Sequence, residues 1–343
     1  MTQKKRTEIA ELGEFGLIDH LTKDFTTSNK NTLRGVGDDA AVIKAGRDDA
    51  MVVTTDSLLE GVDFDLTYFP LKHLGYKAVA VGVSDVLAMN AMPEQVMISL
   101  GVSSKLPVEA LEDLYEGIKF ACDEMGVDMV GGDTTASMTG LVINITTIGR
   151  AKRKAISYRS GAQFNDLICI TGNLGAAYMG LHLLEREKRV LRDVQNPEPQ
   201  FAGYEYLLQS YLKPRARKDI VEALAAEGIV PTSMIDLSDG LASEVLQICK
   251  ASKCGARIYL ERIPIAKQTS ALAEEMHIDP VVAALNGGND YELMFTVPLA
   301  MQEQVMSMGL VDIIGHITRE STGAYLVTPD GSDIKLRAQG FKE

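Results

Sequence analysis

Five short segments set acidic residues beside glycine, serine or threonine: Gly35-Val36-Gly37-Asp38-Asp39, Thr54-Thr55-Asp56, Ser84-Asp85, Gly131-Gly132-Asp133-Thr134-Thr135 and Asp236-Leu237-Ser238-Asp239-Gly240. A sixth, Gly287-Gly288-Asn289-Asp290-Tyr291-Glu292, has the same character. Oxygen-only donor sets suit hard cations. Mg²⁺ in particular is usually shared between a few carboxylates and a substrate phosphate. Any one box reads equally well as an ordinary turn, because Asp and Gly dominate turns. Five in one chain call for a common destination, and nucleotide chemistry is the natural one.

The surroundings of the acids carry further information. Asp85 interrupts the apolar run Ala78–Met89, which reads as a helix buried nearly all round. A carboxylate there must find a partner, a cation or a proton. Pairing with a core arginine or backbone donors is the structural alternative to a metal. Asp56 closes a hydrophobic strand, and Asp133 follows a Gly-Gly pair that itself follows one, so both are expected on loops at strand ends. Asp236 and Asp239 are three apart at an expected helix start, which sets both on one face.

Other chemistries lack their residues. No Gly-Lys dipeptide occurs, so a P-loop lysine is missing. Gly172-Asn173-Leu174-Gly175 reads as a tight turn between a strand and a helix rather than a dinucleotide fingerprint. The five histidines form no local zinc pattern, and no serine–histidine–acid triad is suggested. Four scattered cysteines read as reduced residues of a cytoplasmic protein.

The elements that must position these boxes alternate along the chain. Strands are expected at Met51–Thr55, Val96–Val102, Val127–Val130 and Leu141–Arg150, with helices over Leu74–Met92 and Val108–Met125. Pro107 opens the second helix, whose Leu111, Leu114, Ile118 and Cys122 share a face. A basic, polar stretch at Arg150–Arg159 is the expected boundary between domains 1–150 and 151–343. Beyond it the pattern restarts. Strands are expected at Leu167–Thr171, Arg257–Leu260 and Leu293–Val297, with helices at Ala176–Glu187, Val221–Glu227, Leu241–Ser252 and Gln268–Met276. Residues 193–213 read as a charged, partly helical surface insertion, and a hairpin is expected at Pro329-Asp330-Gly331. Two halves of interleaved strands and helices argue for a two-domain α/β and α+β enzyme.

With 343 residues, 46% hydrophobic and 24% charged, the chain has the composition of an ordinary globular protein. Its 34 basic and 47 acidic residues give a formal charge of -13, which disfavours nucleic acid and membrane surfaces as partners. The basic start Met1–Arg6 leads into no apolar signal core, and no apolar run approaches a membrane span.

In the order in which they stand here, the six boxes resemble those of the thiamine-monophosphate kinases. The Thr54 box extends as Thr-Thr-Asp-Ser-Leu-Leu-Glu-Gly-Val-Asp-Phe and the Ser84 box as Val-Ser-Asp-Val-Leu-Ala-Met. The resemblance runs from Gly13 to Phe341. It implies an aminoimidazole-ribonucleotide synthetase-like fold, with an N-terminal domain that joins a second copy's in a dimer barrel and a C-terminal α+β domain closing the cleft. It implies ATP as co-substrate, several Mg²⁺ ions, thiamine monophosphate as acceptor and a homodimer. Carried over by motif, Asp39, Thr54, Thr55, Asp56, Asp85, Asp133, Asp236 and Asp239 would be metal ligands, with Asp39, Asp133 and Asp239 nearest the chemistry. Tyr115, Gly132, Asp133, Arg159 and Ser238 would meet the nucleotide.

Asp63, Asn289 and Phe341 would meet the acceptor. Two of these depart from the pattern. The family usually has histidine where this chain has Asp63 and glutamate where it has Asn289, so one charge is added and another removed. The alternatives are a synthetase or ligase of the same superfamily, or a nucleotide-binding protein without turnover.

Overall fold

The computed structural model describes residues 9–192 and 199–338. After helix α1 (Gly13–Thr22), the first sheet is built from β1 (Thr32–Arg34), β2 (Ala41–Lys44), β3 (Asp49–Leu59), β4 (Met92–Val102), β5 (Asp128–Ala136) and β6 (Val142–Lys152). Their order is β1-β2-β3-β6-β4-β5, antiparallel except for the parallel pair β4–β5. Helices α2 (Leu71–Ala88) and α3 (Val108–Met125) cover one face.

That sheet is one-sided, as its sequence alternation requires. Val52, Thr54 and Leu58 of β3 are buried, whereas Thr55, Ser57 and Leu59 between them are exposed. On the outermost strand, β5, every residue except half-buried Gly131 is exposed.

The second sheet contains β7 (Leu167–Thr171), β8 (Ser233–Asp236), β9 (Cys254–Tyr259), β10 (Leu293–Val297), β11 (Val311–Arg319), β12 (Ala324–Val327) and β13 (Asp333–Lys335). Its order is β13-β12-β9-β11-β7-β10-β8. Helices α4 (Ala176–Leu191), α5 (Glu205–Leu212), α6 (Lys218–Ala226), α7 (Leu241–Ser252), α8 (Lys267–Glu275), α9 (Pro280–Asn286) and α10 (Gln302–Ser307) complete it. Here both faces are covered, so β7 and β10 are buried at every residue. Ile168, Ile170 and Met294 pack with Val245 and Ile248 of α7, while Leu167, Cys169, Leu293 and Phe295 join the core around α2.

Helix α2 ties the halves together. It contacts β3, β4 and β6 of the first sheet and β8 of the second, and nearly all of it is buried. Its crossing with α3 depends on two glycines. A Cβ on Gly75 would lie 2.0 Å from Leu114 O, and one on Gly117 would lie 1.8 Å from Lys72 O. Only bare backbones approach this closely.

Four local expectations are corrected. Asp56 lies inside β3, and Gly132 and Asp133 inside β5, not on loops after them, because the adjoining residues continue the ladder. Asp236 is the last residue of β8, not a helical residue. Gly240, at φ +103°, separates Asp239 from α7, so the helical-face argument does not apply. Within residues 193–213, α5 is no surface insertion, because it buries Leu207 and Tyr211 against its neighbours. Residues 193–198 lie outside the described residues.

Candidate active site

Four of the five acidic boxes meet because three elements end or bend at one place. The 37–39 loop precedes β2, β3 runs past it, and β8 delivers Asp236 beside the buried middle of α2. Thr54 Oγ1 donates to Asp85 Oδ2 at 2.5 Å, and Ser84 Oγ donates to Asp236 Oδ2 at 2.7 Å. Carboxylate oxygens of Asp39, Asp85 and Asp236 all lie within 4.8 Å of one another. The charge of Asp56 also acts on Asp85. A cleft of about 690 Å³ opens over this cluster, lined also by Thr55, Arg159, Ser238 and Asp239.

Electrostatics make the cluster poor at holding its own charge. Burial, then the charges of Asp56, Asp236 and Asp39, raise Asp85 well above the usual carboxylate range. Burial, then Asp39, pushes Asp236 up to about 7, and burial does the same for Asp56, to about 6. Asp39 is also raised by burial, against the pull of Arg159. The Arg159 guanidinium donates to Asp39 Oδ1 at 2.6 and 3.1 Å. Its backbone N–H donates to Asp38 Oδ1 at 2.9 Å. No other cation meets the cluster so directly among the described residues. The core-arginine alternative for Asp85 fails, since Arg159 serves Asp39 instead.

This donor set fits Mg²⁺. It is all oxygen, it converges, and Asp39 Oδ2 and Asp56 Oδ2 are buried without a hydrogen-bond partner. Asp39, Thr54, Asp56, Asp85 and Asp236 line one cleft together with Asp239 and Ser238. Thr55 borders the cleft from the exposed face of β3, where its Oγ1 bonds Asn144 Oδ1.

Asp133 and Gly132 are not brought there. The register runs Asp133–Ser99–Asn144–Ser57 across β5, β4, β6 and β3, three inter-strand steps or about 14 Å from Ser57. Residues in such a row share a face, and it is the face opposite Asp56. Tyr115 lies on α3, partly exposed, and does not line the cleft. Phe341 lies outside the described residues.

The sixth box divides its labour. Asp290 accepts from Gly175 N at 2.8 Å and Ala177 N at 3.3 Å, so it occupies the N-terminus of α4 after the expected tight turn. Glu292 pairs with Arg217 and accepts from the Thr171 hydroxyl. Both acids are structural. Asn289 remains, its N–H bonded to Ser238 O at 2.7 Å. Asp63 accepts from Leu59 N at 2.8 Å and sits near the buried Lys77, whose amine donates to Asn289.

Sequence reading missed several neighbours. Glu244 is buried behind the loop that follows β8, accepts from Asp239 N at 2.9 Å, and is raised by burial, then by Asp239 and Asp236. Glu14, Phe15, Ile18 and Asp19 of α1 close one side of the cleft, with Lys250 bonded to Asp19 at 2.6 Å. The polar spacing Glu244, Gln247, Lys250 along one face of α7 was the available signal. The α1 residues left none.

Residues 37–151 match the model of the AIR synthase related protein N-terminal domain, and residues 165–327 match its C-terminal domain. Fold and acid-lined cleft together define a two-domain protein of the AIR-synthase-related class, as expected. The chain is 34% identical to the thiamine-monophosphate kinase of Buchnera aphidicola subsp. Schizaphis graminum, across 96% of this chain and 98% of that one. It is 33% identical to that of Aquifex aeolicus, across 97% and 99%. A solved structure of AaThiL complexed with AMPPCP and TMP superposes with a TM-score of 0.82 at 30% identity, covering 98% of this chain and 99% of that one. A solved structure of the hydrogenase maturation protein HypE in complex with ATP, at 20% identity and a TM-score of 0.67 over 97% of this chain and 98% of that one, shares the fold. The chain belongs to the thiamine-monophosphate kinase family, a family of phosphotransferases. No helix among the described residues is long and apolar enough to cross a membrane.

Proposed function

We propose that the protein transfers the γ-phosphoryl group of ATP directly to the phosphate of thiamine monophosphate, giving ADP and thiamine diphosphate. The observation that carries this reading is the convergence of Asp39, Asp85 and Asp236 in a chain whose full-length relatives are kinases of that acceptor. Bound Mg²⁺ would screen the repulsion between the two phosphates and clamp the reacting oxygens. Asp39, Asp56, Asp85 and Asp236, with Thr54, Thr55 and Asp239 beside them, are the residues to hold it. Thr54 and Ser84 hold two of the carboxylates in fixed orientation. Arg159 and Ser238 face the nucleotide.

In the transfer, an acceptor phosphate oxygen forms the new bond to the γ-phosphorus as the bond to the bridging oxygen of ADP breaks. The acceptor oxygen is already ionised at neutral pH, so no general base is needed. That agrees with a cleft lined by no histidine among the described residues.

Residues 1–150 are assigned to Mg-ATP binding and dimerisation, and 151–343 to the domain closing the cleft. A homodimer is proposed because the first sheet leaves one face uncovered, with Met97 of β4 and Val130 of β5 exposed. An unpaired, apolar edge of this kind is normally covered. In such a dimer Asp133, Gly132 and Tyr115 would serve the cleft of the second copy. The free cysteines and acidic balance suit the cytoplasmic setting read from the sequence.

The test is a turnover assay with Mg²⁺, ATP and thiamine monophosphate. ADP and thiamine diphosphate should form in equal amounts and cease when a chelator removes the metal. ATP binding with no diphosphate product would reject thiamine monophosphate as the acceptor.

A further inference from the structure

Where the chain leaves β6 it carries three consecutive cations, Lys152, Arg153 and Lys154. Lys152 is the last residue of the strand, paired with Asp49 across the ladder, and the turn between β2 and β3 brings Arg47 alongside. These four side chains line a cavity of about 950 Å³. Half of its eight lining residues are cations, in a chain of net charge -13 with 34 cations among 343 residues. The cavity therefore holds a positive field against the sign of the whole molecule.

Most of that charge is unopposed. Lys152 is partly neutralised by Asp49 at 2.7 Å, and Asp48 is the one acid among the lining residues. The Arg153 guanidinium meets the Arg47 carbonyl oxygen at 3.4 Å, and Arg47 and Lys154 have no acidic partner among the described residues. The backbone that presents them is tied down. Arg153 N donates to Asp48 O at 2.8 Å, Ala155 N to Lys152 O at 2.8 Å, and the Asn90 amide to Ala155 O at 2.8 Å. Buried Ile156 and half-buried Tyr158 add apolar surface to the lining.

Tyr158 also forms the wall toward the acid-lined cleft. Arg34, which lines that cleft, stacks 5.6 Å over the Tyr158 ring and pairs with Asp38 at 2.8 Å. Asp38 and Asp39 are thus answered by Arg34 and Arg159, and they leave Arg47, Arg153 and Lys154 free to meet something else.

We propose that this cavity is a second anion site, which binds the diphosphate group of a small molecule without a metal ion. Guanidinium forks and ammonium groups are the donors that phosphate oxygens take. Two linked phosphates carry enough charge for all three unopposed cations, whereas a single carboxylate does not. The cations converge on one concavity instead of running along a face, which fits a compact ligand and not a charged chain. Free diphosphate and the phosphate tail of a nucleotide share this chemistry. The site does not depend on which acceptor the acid-lined cleft serves.

Calorimetric titration of the full chain with inorganic diphosphate, at low salt in buffer stripped of divalent cations, tests it. One diphosphate should bind per chain, and binding should weaken as salt is added. Arg153→Ala combined with Lys154→Ala should lower the affinity about tenfold or more, and Arg47→Ala, on the neighbouring turn, severalfold. All three side chains are exposed, so the variants should melt as the wild type does. ATP titrated in the same way distinguishes the source, read as the difference between the wild type and the double variant. Equal or weaker affinity for ATP assigns the site to free diphosphate; affinity about tenfold tighter assigns it to a nucleotide whose ring stacks on Tyr158. Binding that appears only with Mg²⁺, or that is unchanged in both variants, belongs to the acid-lined cleft and overturns the proposal. So does the absence of binding up to about 10 mM diphosphate.

Discussion

Asp236→Asn should lower turnover about a thousandfold, the equivalent of roughly 4 kcal/mol of lost transition-state stabilisation, without weakening the fold. The side chains are isosteric, and the new amide oxygen still accepts the Ser84 hydroxyl that Asp236 holds at 2.7 Å. The change removes one of several converging charges that repel one another when no cation is bound. Metal-free protein should therefore melt at an equal or higher temperature in the variant at pH 8.

The wild type carries the complementary signature. Asp236 and Asp56 are raised to about 7 and 6, so between roughly pH 4 and 7 the folded state binds more protons than the unfolded chain. Stability from this source is fully present at acid pH and is lost as pH rises through those values. Asp236→Asn should flatten that decline. Calorimetric melts across pH 5–8 without divalent cation measure it. A variant that melts well below the wild type at every pH would mean that Asp236 is a structural acid and not a ligand.

Asp133→Asn should also nearly abolish turnover, but for a reason a single chain does not contain. Asp133 lies about three strands from Ser57 and on the opposite face of the sheet from Asp56. If each cleft is completed by the second copy, two inactive variants should rescue one another. In a heterodimer of Asp133→Asn with Asp236→Asn, one cleft receives both intact carboxylates and the other receives neither. An equal mixture, reassorted freely, gives half heterodimers with half their sites intact, so about a quarter of wild-type activity. Activity no higher than either variant alone would show that Asp133 acts within its own chain or has no role in the chemistry. Full activity of Asp133→Asn by itself would remove it from the site.

Much of this was legible in the sequence because of how acids behave in apolar surroundings. Asp85 had to be explained within an apolar helix, and the structure supplies the explanation in Thr54, Asp56 and Asp236. Helix α7 and strand β10 fall where periodicity puts them. Strand ends were less legible. Asp56 and Ser57, and the threonines at 134 and 135, continue ladders that a strand-end reading of the acids breaks. Asp236 looked helical because i, i+3 spacing says nothing about where a strand stops. The roles of Asp290 and Glu292 depend on residues more than 70 positions away, Gly175 and Arg217, which no local pattern reports. The same is true of Lys77 and Asn289, 212 positions apart.

The most direct test of direct phosphoryl transfer is a single turnover with ATP labelled in its γ-phosphate, excess enzyme, Mg²⁺ and thiamine monophosphate. The label should appear in the terminal phosphate of thiamine diphosphate, with none retained on the protein. Label released as inorganic phosphate, or held on the protein as an intermediate, would contradict direct transfer between the two bound phosphates.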